Sequence, residues 1–418
     1  MKFFNVKPKL FKHLLTVLMF CLIAQSQLIQ AQEHEGFDVP ANHVMAIEAT
    51  TGKILYEKAS ETVTGTASTS KLLTAYMVYE AIDNGKITLS DAVSVSNYAY
   101  ELSLNTEIAN IPLDARLYTV KELLDAVLIH SANGASVALA EHISGTEARF
   151  VDAMSAKLKE WEIDDAKLVN ATGISNRYLG NHRYPDSKED AENMMSARSL
   201  AIIARKLLQD YPQVTETTSL LSANWSYTTI FTWNLLLKGA MYSRPSVDGL
   251  MTGTSEKSGS SLVASSTENG MRVITVLLGA HGGEEDPDAR FVATNQLLNH
   301  IKDSYYFWTI LPKGKAYEGS KSPVFNGNKS HATAVAKSDF NVVQKMGEPN
   351  LNLTFKAIKK TPEAPIKQGQ TIGQITFEDD GYLGTPPTMT MVAKEDVKRA
   401  IFFKVWWNNF VRWVNEDL

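Results

Sequence analysis

The chain has 418 residues, 44% of them hydrophobic and 21% charged, with a formal net charge of −5. That length exceeds what one core organises, so two or more domains are expected, and the ordinary composition excludes a disordered or fibrous chain. A mildly acidic balance is a poor match for polyanions, so no nucleic-acid partner is expected.

Lys2, Lys7, Lys9 and Lys12 precede an apolar run, Leu14 to Ala24, and small or polar residues follow to Ala31. Residues 1–31 read as a secretory signal peptide, cleaved after Ala31 or near Ser26. The competing reading is a buried N-terminal helix. The run is too short to span a bilayer comfortably. The only cysteine, Cys21, lies inside it. The exported chain therefore has no disulfide, thiol nucleophile or thiolate metal site. Cleavage removes four lysines and no acids, so the formal charge moves from −5 to −9.

His43 to Glu57 reads as a hairpin around a Thr-Thr-Gly turn. Residues 69–82 have helical spacing, with Leu72, Leu73, Tyr76, Met77 and Tyr79 apolar. A mostly helical stretch covers 115–210, including Val120–Ile129, Ala135–Ile143 and Ala197–Leu208. Strand character returns at Val247–Gly253, Ser261–Ser266 and Met271–Leu278. The last two are joined through Glu268-Asn269-Gly270, and Asn-Gly is a strong hairpin signal. A helix, Arg290–His300, follows. One early hairpin, central helices and a late strand meander predict an α/β sandwich whose single sheet is mainly antiparallel, over residues 37–304.

From residue 305 the texture changes to Lys, Gly, Ser, Pro and Asn with short alternating runs such as Thr371 to Phe377. Residues 305–393 read as a small β-domain. The last segment, 394–418, reads as an amphipathic helix. Phe402, Phe403, Trp406, Trp407, Phe410, Val411, Trp413 and Val414 fill one side, with Lys398, Lys404, Asn408, Asn409, Arg412 and Asn415 mostly opposite. Charges and asparagines along it exclude a span, and tryptophan favours the membrane–water interface. The segment is expected to lie in the plane of a bilayer surface; the alternative is a helix packed on the β-domain.

Three short motifs carry the chemistry. Ser68-Thr-Ser-Lys71 puts a hydroxyl and an amine one helical turn apart. A serine needs a base, and Lys71 can serve once its pKa falls from about 10.4 to near 7. Ser131-Ala-Asn133, between two helical runs, can aim a hydroxyl and an amide into a cleft. Ser131 can pass a proton from Lys71 to a leaving amine, and Asn133 can bond both a substrate amide and Lys71. Val247 to Thr254 reads as a strand edge. There Gly253 allows a substrate backbone to come close, and Thr252 and Thr254 can donate to a carboxylate. His130 invites a Ser–His reading, but no aspartate partner is placed by the sequence. His281 to Asp288 reads as a solvated acidic loop rather than a metal site. No cofactor or metal pattern is found.

Together these motifs, with Asn170-Ala-Thr-Gly173 and the aromatic run Lys404 to Val414, resemble the low-molecular-mass penicillin-binding proteins. These are serine-type D-alanyl-D-alanine carboxypeptidases of the streptococcal type. The likeness runs from about residue 37 to the C-terminus. It implies a penicillin-binding-protein-like sandwich with a C-terminal β-domain and an amphipathic anchor at the outer face of the cell membrane. It implies that Ser68 attacks a peptidoglycan stem peptide ending in D-Ala-D-Ala, and that the N–H groups of Ser68 and Thr254 form the oxyanion hole. It further implies that β-lactams acylate Ser68 and that Arg290 supports carboxylate binding. By sequence alone Arg290 is equally a helix-start ion pair.

The third motif departs from K-T-G: Met251-Thr252-Gly253 has methionine for lysine. In the family that lysine binds the substrate carboxylate and lowers the pKa of the S-x-x-K lysine by repulsion. At about 5 Å and an effective dielectric of about 20 the repulsion is roughly 3 kcal/mol. Its loss is expected to leave Lys71 mostly protonated and to slow acylation by roughly 10- to 1000-fold. Two other readings stay open. One is a catalytically weakened scaffold that binds peptidoglycan or β-lactams; the other is a β-lactamase, against which the anchor and extra β-domain count.

Overall fold

Five antiparallel strands make the central sheet: β1 (Ala41–Glu48), β2 (Ile54–Lys58), β3 (Val247–Ser255), β4 (Gly259–Glu268) and β5 (Met271–Ala280), in the order β2-β1-β5-β4-β3. The computed structural model describes residues 36–358 and 362–416; the expected signal peptide and Cys21 lie outside the described residues. Asn269 and Gly270 take φ of 47° and 78° in the β4–β5 turn, the left-handed pair that a two-residue hairpin needs. The early hairpin and the late meander thus meet as β1 and β5, pairing from Ala41 opposite Ala280 to Glu48 opposite Val273. β5 is buried at nearly every position, which requires cover on both faces. β3 is an edge strand, so one row of its backbone groups is free of sheet pairing.

The helical part is built around α1 (Lys71–Asp83), which is buried on almost every side. A helix apolar all round belongs inside a core. Around it stand α2 (Asn97–Ser103), α3 (Val120–His130), α4 (Asn133–Ser144), α5 (Glu147–Glu160) and α6 (Ala197–Asp210). After the sheet comes α7 (Ala289–Ser304), and α6 and α7 both pack on β5. α3 opens with a capping box: Thr119 Oγ1 accepts from Glu122 N, and Glu122 accepts from Thr119 N. Sequence spacing gave no separate notice of α2 or α5, whose apolar positions are mixed with acids and lysines.

Beyond α7, β6 (Tyr305–Leu311) leads into a second set of strands: β7 (Lys321–Pro323), β8 (His331–Ala336), β9 (Phe340–Lys345), β10 (Leu353–Ala357), β11 (Thr371–Phe377) and β12 (Thr388–Ala393). Five of them form a sheet in the order β7-β8-β12-β11-β10, and β6 pairs with β9. Ile372, Ile375, Phe377 and Met391 fill its core. The described residues from Pro40 on form one compact unit. The two sheets are tied at the β1–β2 turn: Leu383 N donates to Gly52 O at 2.8 Å, and Lys53 pairs with Asp379 at 2.7 Å.

The terminal helix, α8 (Phe402–Glu416), is shorter than expected. Residues 394–401 are extended rather than helical, because Val397 is buried in the β-domain core and exchanges backbone bonds with Ile366 at 2.9 Å. α8 docks by its polar side. Lys404 Nζ donates to Gly327 O at 3.0 Å, and Asn326 bonds both Asn408 and Asn409. The Arg412 guanidinium lies 3.4 Å from the Phe325 ring centre. The aromatic side faces outward, with Phe403 76% and Trp406 57% exposed. No described helix is long and apolar enough to cross a membrane.

Candidate active site

Ser68 does not begin an α-helix; it sits in a single 3-10 turn, Ala67–Ser70, and α1 starts at Lys71. The turn follows Ala67 at φ 45°, a conformation that costs a non-glycine residue and recurs at functional sites. It leaves Ser68 partly exposed while Thr69, Ser70 and Lys71 are buried. Lys71 Nζ lies 2.9 Å from Ser68 Oγ. The same nitrogen donates to Asn133 Oδ1 at 2.8 Å and to the Thr172 carbonyl at 2.7 Å. A neutral amine has two N–H donors and one lone pair, so it can serve both of these acceptors and still accept the Ser68 proton.

Burial pushes the Lys71 pKa from 10.5 down to about 7. No charged neighbour contributes to that shift. The expectation that Met251 leaves Lys71 mostly protonated counted only a second cation; desolvation in the fold also disfavours the ammonium.

The Thr172 carbonyl was not anticipated as a partner of Lys71. Thr172 belongs to the loop Asn170–Gly173, whose Asn170 Oδ1 accepts from Thr172 N, Thr172 Oγ1 and Gly173 N. Gly173 has φ 79°, and a Cβ there would fall 1.9 Å from Ala67 O, so the loop touches the Ser68 turn directly. Asn193 holds the loop from outside, accepting from Val169 N and donating to Asn170 O and Ser70 Oγ. Glu147, buried in α5, accepts from Ala171 N at 2.9 Å and from Tyr98 Oη at 2.8 Å.

Ser131 and Asn133 stand on the α3–α4 turn. Ser131 caps α3 at φ 60°, an αL position usually given to glycine. Its Oγ is buried and has no hydrogen-bond partner in the protein. Asn133 is the first residue of α4, and its Nδ2 donates to Ala109 O at 2.9 Å. His130 bonds the Phe231 carbonyl through Nδ1 at 2.9 Å, so its ring is not paired with either serine.

β3 brings Met251, Thr252, Gly253 and Thr254 to the open sheet edge. Gly253 has a close neighbour within the protein. A Cβ there would lie 3.1 Å from Thr69 N and 3.2 Å from Ala67 Cβ, so the glycine lets the Ser68 turn approach the strand. Gly253→Val should push that turn back and slow penicillin acylation by roughly 10- to 100-fold. Labelling rates alongside a thermal melt would separate this from unfolding. Met251 is two residues earlier and shares that strand face; it is 3% exposed and belongs to the main core. Thr252 is buried and Thr254 exposed.

Arg290 lies at the start of α7, 8% exposed. It donates to Gly253 O, Thr254 Oγ1, Ser261 O and Pro287 O at 2.8–3.2 Å. Burial lowers its pKa to about 10 against the opposing pull of Asp288. These bonds tie β3 to β4 and to the loop before α7, which is more than a helix-start ion pair. The loop His281–Asp288 is largely exposed. Among the described residues no group of three or more His, Asp or Glu could hold a metal ion.

A nucleophilic hydroxyl facing a buried lysine, with a second serine and an amide brought in from another helix pair, is the working arrangement of active-site serine acyl-transfer enzymes. Within that class the chain belongs to the D-alanyl-D-alanine carboxypeptidase family, whose model matches residues 28–282. A second model, penicillin-binding protein 5, C-terminal domain, matches 308–399. The chain is 31% identical over 370 residues to the D-alanyl-D-alanine carboxypeptidase DacF of Bacillus subtilis, covering 87% of each chain. A peptidoglycan synthesis regulatory factor (PBP3) from Streptococcus pneumoniae is 44% identical, with TM-score 0.81 over 87% of this chain and 100% of that one. Penicillin-binding protein D2 from Listeria monocytogenes, solved in its ampicillin-bound form, is 25% identical, with TM-score 0.53 over 64% of this chain and 99% of that one.

Proposed function

We propose that this chain is an exported serine-type D-alanyl-D-alanine carboxypeptidase that trims peptidoglycan stem peptides and is acylated by β-lactams. Neutral Lys71 takes the Ser68 proton as Oγ attacks the carbonyl between the two D-alanines. The N–H groups of Ser68 and Thr254 hold the oxyanion. Ser131 hands the proton to the amine of the departing D-alanine, the C–N bond breaks, and an ester on Ser68 remains. Water then hydrolyses the ester, restoring Ser68 and releasing the shortened peptide. Asn133 orients the peptide amide. The observation that carries this reading is the buried Lys71 amine, 2.9 Å from Ser68 Oγ with a pKa brought to about 7.

The aromatic side of α8 lies in the outer surface of the cell membrane, which fits eight large apolar side chains left uncovered on one helix. A weakened scaffold is the second reading, and Met251 is what favours it. Fluorescent penicillin tests both. Label should appear on the native protein and vanish in Ser68→Ala, and a peptide ending in D-Ala-D-Ala should lose one alanine. Label without turnover would mean the scaffold; label that survives Ser68→Ala would remove the proposed nucleophile.

A further inference from the structure

Glu147 is a buried carboxylate that the mechanism above does not use. It opens α5 and is 7% exposed. No cation is paired with it among the described residues. Burial lifts its pKa to about 7; the bonds from Ala171 N and Tyr98 Oη act against that rise, and Glu141 of α4 adds to it. The His182 ring stacks on Tyr98 at 4.0 Å. An apolar side chain would fill the same volume without the cost of burying a charge, so stability does not account for a carboxylate here.

Its bonds lead to the catalytic amine. Glu147 Oε1 accepts from Ala171 N, and Thr74 Oγ1 donates to Ala171 O at 2.7 Å. Thr74 lies one turn after Lys71 on α1. Ala171 is thus held at its N–H by α5 and at its carbonyl by α1. The next carbonyl, Thr172 O, accepts from Lys71 Nζ at 2.7 Å. A neutral Lys71 has one lone pair, and it faces Ser68 Oγ only while the two N–H groups point at Asn133 Oδ1 and Thr172 O. Moving the Thr172 carbonyl would turn the lone pair away.

We infer that Glu147 is a positioning residue for acylation: through the Ala171 N–H it holds the Thr172 carbonyl on the Lys71 amine and so aims the lone pair at Ser68. This rests on the function proposed above. What it requires is an acceptor oxygen within reach of Ala171 N, not a charge.

The test uses the full chain and follows penicillin labelling of Ser68 at several concentrations, which separates noncovalent binding from the rate constant for acylation. Glu147→Met removes the acceptor, and Glu147→Asp keeps a charge but is one methylene too short for Ala171 N. Both should lower the acylation rate constant by roughly 10- to 100-fold, with binding changed by less than about twofold. Glu147→Gln keeps an oxygen in reach and should stay within about threefold of native. In Glu147→Met the acid limb of the acylation profile should also move down by about 0.5–1 pH unit, because an acceptor that favours the ammonium has gone. Glu147→Asp as fast as native, or Glu147→Gln as slow as Glu147→Met, would overturn the inference. So would a smaller labelled fraction with a native rate constant and an unmoved limb, which is what mere support of the fold gives. Should Glu147→Met fail to fold, the Asp and Gln variants decide between them. A native protein that takes no label would remove the proposed function itself, which keeps the two failures distinct.

Discussion

Replacing Lys71 with methionine should slow acylation of Ser68 by about 10²–10⁴-fold, the usual contribution of a positioned general base. The amine is the only basic nitrogen bonded to Ser68 Oγ among the described residues. Methionine fills the volume but leaves Asn133 Oδ1 and the Thr172 carbonyl without their donor. Each loss costs about 1–3 kcal/mol, offset in part because no ammonium is then buried. The protein should therefore still melt cooperatively, and the defect is in chemistry.

The pH dependence makes the claim sharper. With Lys71 titrating at about 7, acylation by the native protein should rise roughly tenfold per pH unit below about 7 and level off above. The variant should show no such rise. Stability follows the same group with a definite sign. The folded pKa lies below the unfolded value of 10.5, so between the two the unfolded chain binds more protons. Stability then increases with pH across that window, on the order of 5 kcal/mol in all. Below about pH 7 both states hold the proton and the full penalty of a buried ammonium is present. The gap in stability between Lys71→Met and the native protein should therefore favour the variant most at low pH and shrink toward high pH. A native rate profile flat from about pH 5.5 to about 9 would refute the assignment of Lys71 as base.

The sequence revealed groups whose partners are close in the chain. Ser68 and Lys71 are one turn apart, Asn269-Gly270 writes its own hairpin, and Ser131 and Asn133 flank a single helix break. What it hid comes from distance or from the backbone. The Thr172 carbonyl that completes the Lys71 shell has no side-chain signature. Asn193 and Glu147 reach the site only because the fold returns them to the Asn170–Gly173 loop. Gly253 was legible as a site of close approach, but its neighbour, the Ser68 turn, became visible only once β3 was placed. The basicity of Lys71 shows the same limit. Charges can be counted along a chain, whereas burial belongs to the folded core, and here burial sets the pKa. The segment 394–401 likewise reads as part of the amphipathic helix, yet Val397 is held in the β-domain, so α8 begins only at Phe402.

The triple change Trp406→Ser, Trp407→Ser and Trp413→Ser, in the chain from Gln32 on, should lower partition onto phospholipid vesicles by about 10²–10³-fold. Each ring sinks by roughly half its surface when the helix lies at the interface, worth about 1–1.5 kcal/mol apiece. Three together give about 3–4.5 kcal/mol, which converts to that range. Charge adds little to this binding. Lys404 is bonded to Gly327 O, Arg412 lies on the Phe325 ring, and the sequence is net negative by formal count. Zwitterionic vesicles should therefore suffice, and raising salt to about 1 M, where screening acts within about 3 Å, should not release the protein. Penicillin labelling of the soluble triple variant should match the native rate, because α8 docks on the β-domain through Asn326, Gly327 and Phe325 and touches none of the Ser68 shell. Release by salt, or full binding by the variant, would mean that a charged surface and not this aromatic face meets the membrane.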